Sequence, residues 1–204
     1  MVIYGIYYAA ALLAGAGIVT WLASWPFALP FYILAAFCLN FFRDPDRRIP
    51  DGPVAVSPAD GKVVSVKALD SGARVSIFLN VFDVHVNRTP IGGKITCINY
   101  KRGDFKVASR EEASDANEQN VITVEGTIAG RPTRVVFKQI AGLIARRLIC
   151  YKKAGDVVAA GERIGLMKFG SRIDVFLGPE WDVLVHAGER VRGGSGILAR
   201  MKDA

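Results

Sequence analysis

Ala154-Gly155-Asp156-Val157-Val158-Ala159-Ala160-Gly161-Glu162-Arg163-Ile164-Gly165 reads as a glycine turn, a valine strand, a second glycine turn and an isoleucine strand. The same order returns at Ala187-Gly188-Glu189-Arg190-Val191-Arg192-Gly193-Gly194-Ser195-Gly196-Ile197-Leu198. Glycine supplies the backbone freedom of tight turns, and β-branched residues pack well on a pleated face, so two such units predict paired hairpins. Working back toward the amino end, residues 62–69, 74–81, 94–100, 121–127 and 133–140 are rich in Val, Ile, Phe and Thr. Glycine-containing turns separate many of them, so the expected body is all β. Residues 109–120, with Glu111, Glu112, Asp115, Asn117, Glu118 and Gln119, form the long polar segment and are expected to be a mobile loop.

The first fifth of the chain is written for a different solvent. Among 204 residues there are 26 Lys plus Arg and 19 Asp plus Glu, a formal net charge of +7, yet none of these charges lies between Met1 and Phe42. Residues 2–23 are apolar and long enough to cross a hydrocarbon core of about 30 Å as a helix. After Ser24, Trp25 and Pro26 a shorter apolar run covers residues 27–42, which predicts a helical hairpin or re-entrant pair with Trp21 and Trp25 at an interface. No basic region precedes the first run, so a cleaved signal peptide is a poor match. Arg43, Arg47 and Arg48 follow at once, which favours a cytoplasmic side for the rest and suits an anionic lipid surface. A nucleic-acid role would account for the charge but not for this segment. The expected organisation is an anchor at 1–42, a Pro- and Gly-rich linker at 43–53 and a β body at 54–204.

The rest of the composition narrows the chemistry. A chain 51% hydrophobic and 22% charged is not disordered. Cys38, Cys97 and Cys150 are odd in number and far apart, so they read as buried free thiols in a reducing compartment rather than a disulfide framework or a metal site. Two histidines, His85 and His186, exclude a multi-histidine metal centre, and no metal is expected.

The paired hairpins resemble the biotinyl and lipoyl carrier domains, a flattened barrel-sandwich of two interlocked halves, and Met167-Lys168 between them is similar to a biotin-accepting sequence. A membrane-anchored carrier or adaptor without catalysis is therefore one reading. A second resemblance is more specific. Phe41-Phe42-Arg43-Asp44-Pro45, Ser57-Pro58-Ala59-Asp60-Gly61, Phe82-Asp83-Val84-His85-Val86-Asn87-Arg88-Thr89-Pro90, Asn117-Glu118-Gln119-Asn120, Gln139-Ile140-Ala141-Gly142 and Lys168-Phe169-Gly170-Ser171-Arg172 occur in the order found in the phosphatidylserine decarboxylase family, short bacterial or archaeal type.

That resemblance implies an enzyme that makes its own cofactor by cutting itself between Gly170 and Ser171 into chains 1–170 and 171–204. Ser171 is then the nucleophile of self-cleavage and becomes the pyruvoyl group, on which a serine phospholipid forms a Schiff base and loses carbon dioxide. Glycine before serine minimises crowding at the carbonyl under attack and permits a strained backbone. A serine hydroxyl needs a base within hydrogen-bond reach, and a carboxylate that orients the base helps. His85 and Asp60 match those family positions, and His85 is also the candidate acid. Arg88 stands where some relatives carry another histidine, and His186 has no matching motif. Arg146 and Arg147 are candidates to face lipid phosphate. The implied partners are a serine phospholipid, an anionic membrane surface and the two chains of one precursor, with a homodimer compatible and no nucleic acid. Archaetidylserine is an alternative substrate with the same headgroup chemistry, and the cytoplasmic face of the cell membrane is the expected location.

Overall fold

The computed structural model describes residues 2–143, 147–168 and 170–203. Residues 1–46 and 47–204 form two compact units. In the first, α1 (Ile3–Leu22) and α2 (Trp25–Phe41) make a helical pair. Gly5, Ala9 and Ala16 of α1 and Ala28 and Ala35 of α2 are buried, as small residues are where two helix backbones approach closely. The outward surface is apolar, with Trp21 84% and Phe27 68% exposed, and α1 is long and apolar enough to cross a membrane. Trp25 and Pro26, read as punctuation between two runs, are the first turn of α2. Proline suits a helix start because its missing N–H has no partner there.

The second unit is β throughout, apart from α3 (Ala113–Ala116). Its strands are β1 (Val54–Val56), β2 (Gly61–Leu69), β3 (Gly72–Leu79), β4 (Val86–Arg88), β5 (Gly93–Lys101), β6 (Gln119–Ile128), β7 (Arg131–Ile140), β8 (Leu148–Cys150), β9 (Val157–Val158), β10 (Arg163–Met167), β11 (Ser171–Leu177), β12 (Trp181–Val183), β13 (Arg190–Val191) and β14 (Ile197–Met201). An eight-stranded antiparallel sheet runs β13-β2-β3-β11-β7-β6-β5-β9, accompanied by two three-stranded sheets, β1-β14-β12 and β4-β10-β8. One apolar core, including Ile77, Ile122, Phe137, Ile164, Ile173 and Leu198, lies beneath them. This is the mainly β body with a helical amino-terminal segment that the sequence predicts.

The sheet orders reveal two halves with matching strand order. β9 and β13, the valine strands of the two echoed stretches, close opposite edges of the large sheet, while β10 and β14 are the middle strands of the two small sheets. The local bonding repeats as well. Val63 N donates to Glu189 O and Gly188 N to Val63 O, each at 2.8 Å. Ile95 N donates to Asp156 O at 2.9 Å and Gly155 N to Ile95 O at 2.8 Å. One half is the continuous run β4 to β10. The other is split, with β1 to β3 before the run and β11 to β14 after it.

The split has a definite location. In the continuous half, Ile128 pairs with Arg131 across a tight turn, so β6 passes directly into β7. The equivalent pair in the split half is Leu79 with Ser171, and there the turn is replaced by the whole of residues 80–170. The chain therefore leaves one half through residues 80–85, returns through 168–170, and the two crossings meet at the start of β11.

The 109–120 stretch is tied down rather than loose, because its acids satisfy buried cations. Arg172 is fully buried and bonds Asp174 Oδ1 at 2.6 Å, Ser76 Oγ at 2.8 Å, Arg110 O at 3.1 Å and Glu111 Oε2 at 3.3 Å. Arg74 pairs with Glu111, and Ser114 donates to Asp174. Asn117 Nδ2 donates to Lys106 O and Ala141 O, both at 2.8 Å. Burial by itself would raise the Glu111 carboxyl. Hydrogen bonds from Lys67 and Arg74, the Arg74 charge and the bond from Arg172 outweigh it and hold the group down at about 2. The cysteines are free as read but not buried: Cys97 is exposed and Cys38 and Cys150 are partly exposed. Because the folded value of Glu111 is depressed, its contribution is complete above the ordinary value of 4.5 and is lost as pH falls toward 2. Amide exchange over residues 105–118, corrected for its intrinsic pH dependence, accelerates several-fold in that window while β3 and β11 stay protected. In Glu111→Gln the segment exchanges fast already near neutrality and shows no acid step.

Candidate active site

Ser171 is the first residue of β11, paired with Leu79 on the β3 side. Paired residues share a face, so Ser171 lies with Leu79, Ile77 and Ile173 on the inner face, while Arg172 and Asp174 lie under the 105–118 segment. Ser171 is fully buried, and its Oγ makes no hydrogen bond to any described residue. A buried hydroxyl without a partner costs on the order of 1–3 kcal/mol and calls for an explanation in reactivity.

The residue before it has a backbone conformation that favours glycine. Gly170 has φ +63°, the left-handed region in which a side chain is disfavoured, although open space surrounds the position of its absent Cβ. Its carbonyl is held on the other side by Gly142, where a Cβ would stand 1.9 Å from Gly170 O and 3.3 Å from Ala108 Cβ. The carbonyl that Ser171 Oγ would attack thus lies directly against the Cα of Gly142. Phe169 lies outside the described residues, as does Arg146, while Arg147 is exposed.

His85 is fully buried at the outgoing crossing. Its backbone carbonyl accepts from Met167 N at 3.2 Å, which lays it beside the end of β10, four residues before Ser171. Its Nδ1 is 2.8 Å from Asp83 O. A carbonyl only accepts, so Nδ1 carries the proton and Nε2 is the basic nitrogen of the neutral ring. Orientation of the ring therefore comes from a backbone carbonyl. The Asp60 carboxylate accepts from Arg47 at 2.8 and 3.0 Å and from Gly193 N at 2.7 Å. Arg88 N donates to Pro58 O at 2.8 Å, which lays the 57–60 turn beside β4, the strand that follows His85. Arg88 itself donates to Gly161 O, and His186 is exposed at a turn.

Sequence reading did not single out the amides beneath the site. Asn120 Nδ2 donates to Gln139 Oε1 at 3.1 Å, and Gln139 Nε2 donates to Asn87 Oδ1 at 2.8 Å. They tie β6 and β7 of the large sheet to β4. Their signal was available, since polar amides recur inside otherwise apolar strands, but only pairing across strands brings them together. Lys168, the would-be acceptor lysine of a carrier, is only 8% exposed, whereas a modified lysine has to be presented to another enzyme.

The sequence model described as phosphatidylserine decarboxylase matches residues 34–199. The chain belongs to the phosphatidylserine decarboxylase family. It is 64% identical over 199 residues to the phosphatidylserine decarboxylase proenzyme of Solibacter usitatus (strain Ellin6076), covering 98% of this chain and 96% of that protein. The proenzyme of the same name from Desulfotalea psychrophila (strain LSv54 / DSM 12343) is 42% identical over 179 residues, 84% of this chain and 82% of its own length. That from Magnetococcus marinus (strain ATCC BAA-1437 / JCM 17883 / MC-1) is 40% identical over 203 residues, 94% and 91%. Phosphatidylserine decarboxylases named as proenzymes are precursors of an active form, and this member is an enzyme of the decarboxylase class made as a precursor, not a carrier domain.

The contact at Gly142 makes a test. Gly142→Ala pushes the Gly170 carbonyl aside, and a misplacement of roughly 1 Å slows precursor conversion by about a hundredfold. The rate is read from loss of the full-length band with time, with the exchange protection of β7 and β11 as the control for folding. Conversion at the wild-type rate would mean that the carbonyl position does not govern the reaction.

Proposed function

We propose that the precursor cuts itself between Gly170 and Ser171, carries its cofactor as a pyruvoyl group made from Ser171, and converts phosphatidylserine to phosphatidylethanolamine and carbon dioxide. The observation that carries this reading is the buried, unbonded Ser171 Oγ behind a left-handed Gly170 whose carbonyl rests on Gly142, in a family whose named members are proenzymes.

His85 Nε2 takes the proton of Ser171 Oγ, and the oxygen attacks the Gly170 carbonyl carbon. The carbon–nitrogen bond breaks as His85 passes that proton to the nitrogen, giving an ester at Oγ and a free Ser171 amine. Removal of the Ser171 α-hydrogen expels the Gly170 carboxylate and leaves a carbon–carbon double bond at residue 171. The terminal carbon takes up the proton that turns this enamine into an imine with a methyl group, and water then replaces nitrogen by oxygen, releasing ammonia and leaving the ketone. The pyruvoyl ketone supplies an electron sink for the substrate carbon that loses carbon dioxide. His85, held by the Asp83 carbonyl, is positioned to return a proton, and Asp60 acts as the carboxylate that steadies the positive imidazole from the neighbouring turn. Chain 171–204 stays in place after cleavage through the β3–β11 and β11–β7 pairings. Residues 1–42 anchor the protein, with the body on the cytoplasmic face beside Arg43, Arg47 and Arg48. Archaetidylserine is the other substrate of the same headgroup chemistry.

Mass spectrometry tests the cofactor. The purified protein is expected to contain a chain ending at Gly170 and a chain from residue 171 that is about 17 Da lighter than its serine-started equivalent, blocked to Edman degradation and reactive with hydroxylamine. Ser171→Ala remains whole. An intact wild-type chain with no ketone and no carbon dioxide release from a serine phospholipid would end the decarboxylase reading.

The histidine and the carboxylate are separable. His85→Ala leaves the chain uncut, whereas Asp60→Asn slows cutting and shifts its pH profile. Arg47→Ala, which frees the turn but keeps the carboxylate, leaves that profile in place. If Asp60→Asn and Arg47→Ala behave alike, Asp60 only holds the turn.

A further inference from the structure

The mouth of the site is apolar where a soluble enzyme would be polar. A cavity of about 300 Å³ is lined by Phe78, Val81, Val107, Ala108 and Leu143 and reaches Gly170. Around it Phe82 is 67%, Leu143 58% and Val107 41% exposed. Phe82 sits on the turn in which Asn80 N bonds Asp83 Oδ2 at 2.9 Å and Phe82 N bonds Asn80 Oδ1 at 2.8 Å, so the body fixes this ring's backbone outward. Lys101, Arg102 and Arg110 are exposed on the adjoining chain beside Asp104, Lys106 faces Glu112 at 3.8 Å, Glu111 is taken up by Arg74 and Arg172, and Arg147 is exposed beyond Leu143. A larger concavity of about 550 Å³, lined by Arg131, Thr133, Arg134 and Glu180 among others, lies at the opposite end of β7, roughly 30 Å along the strand, and has no part in this chemistry.

We propose that this rim, Phe82, Val107 and Leu143 with the basic residues behind it, docks on the interfacial region of an anionic phospholipid bilayer, independently of the helices at 3–41. The inference rests on the decarboxylase reading for its substrate. A cavity of this size takes a headgroup and a short length of chain but not a whole diacyl lipid, so the tails remain in the bilayer during the reaction. The bilayer must then abut the mouth. Exposed aromatic and aliphatic side chains flanked by cations are the chemistry that inserts at such a surface.

The test uses the full chain in vesicles of phosphatidylserine and phosphatidylcholine. A tryptophan placed by Phe82→Trp is quenched by lipids brominated on their acyl chains, and one placed by Asp70→Trp, at the β2–β3 turn on the far end of β3, is not. Each is read as the difference from wild type. In the second arm, the ratio of turnover on long-chain vesicle substrate to turnover on a dispersed short-chain serine phospholipid falls at least tenfold in Phe82→Ser, and Phe82→Leu restores it. Equal quenching at both positions, or at neither, overturns the docking, as does an unchanged ratio. The quenching arm needs no turnover, so an inactive protein quenched at position 82 would keep the docking and refute only the decarboxylase.

Discussion

The pairing of Leu79 with Ser171 is the constraint on which the site depends. It is the hairpin position of the split half, held by β3 on one side and β7 on the other, and it brings together two crossings that are ninety residues apart in sequence. Cutting a chain inside a tight two-residue turn would gain nothing from its surroundings. The Gly170–Ser171 bond lies where the second half returns to the first, so Leu79 of β3 and Gly142, just beyond β7, both come against it. The register from Ser171–Leu79 to Leu177–Ala73 would also hold the downstream chain after the proposed cleavage.

Electrostatics holds that register from the outer face. Arg172, the residue after Ser171, is the largest of the fully buried side chains among the described residues and is bonded to Asp174, Ser76, Glu111 and the Arg110 carbonyl. Removing one partner from a buried ion pair typically costs about 3–5 kcal/mol, because the remaining charge is stranded. The network therefore locks β11 to β3 and to the 105–118 segment whatever happens at residue 171. On the inner face Ser171 lies with the core residues Leu79, Ile77 and Ile173, and its Oγ makes no hydrogen bond to any described residue. One residue along the strand, the alternation of side-chain direction separates the proposed nucleophile from the ion-pair scaffold.

Local patterns in the sequence were enough for the strands, the glycine turns, the apolar helical pair and the ordered motifs around Asp60, His85, Gly170 and Ser171. Hydrophobic alternation and turn residues act over a few positions, and every residue that obeys them can be read in line. The echo of 154–165 at 187–198 even pointed to two related halves. Which half was interrupted, and that His85 and Ser171 stand at the two crossings, was decided by strand pairing between residues far apart. The same is true of the Gly142 contact with the Gly170 carbonyl and of the acids in 109–120, which looked like a solvated loop because their cations, Arg74 and Arg172, lie in other strands. Sequence determined what each segment could become, since propensity and periodicity are local. Only the tertiary structure decided which side chain is left without a partner, because burial and hydrogen bonding are properties of what the rest of the chain brings to that point.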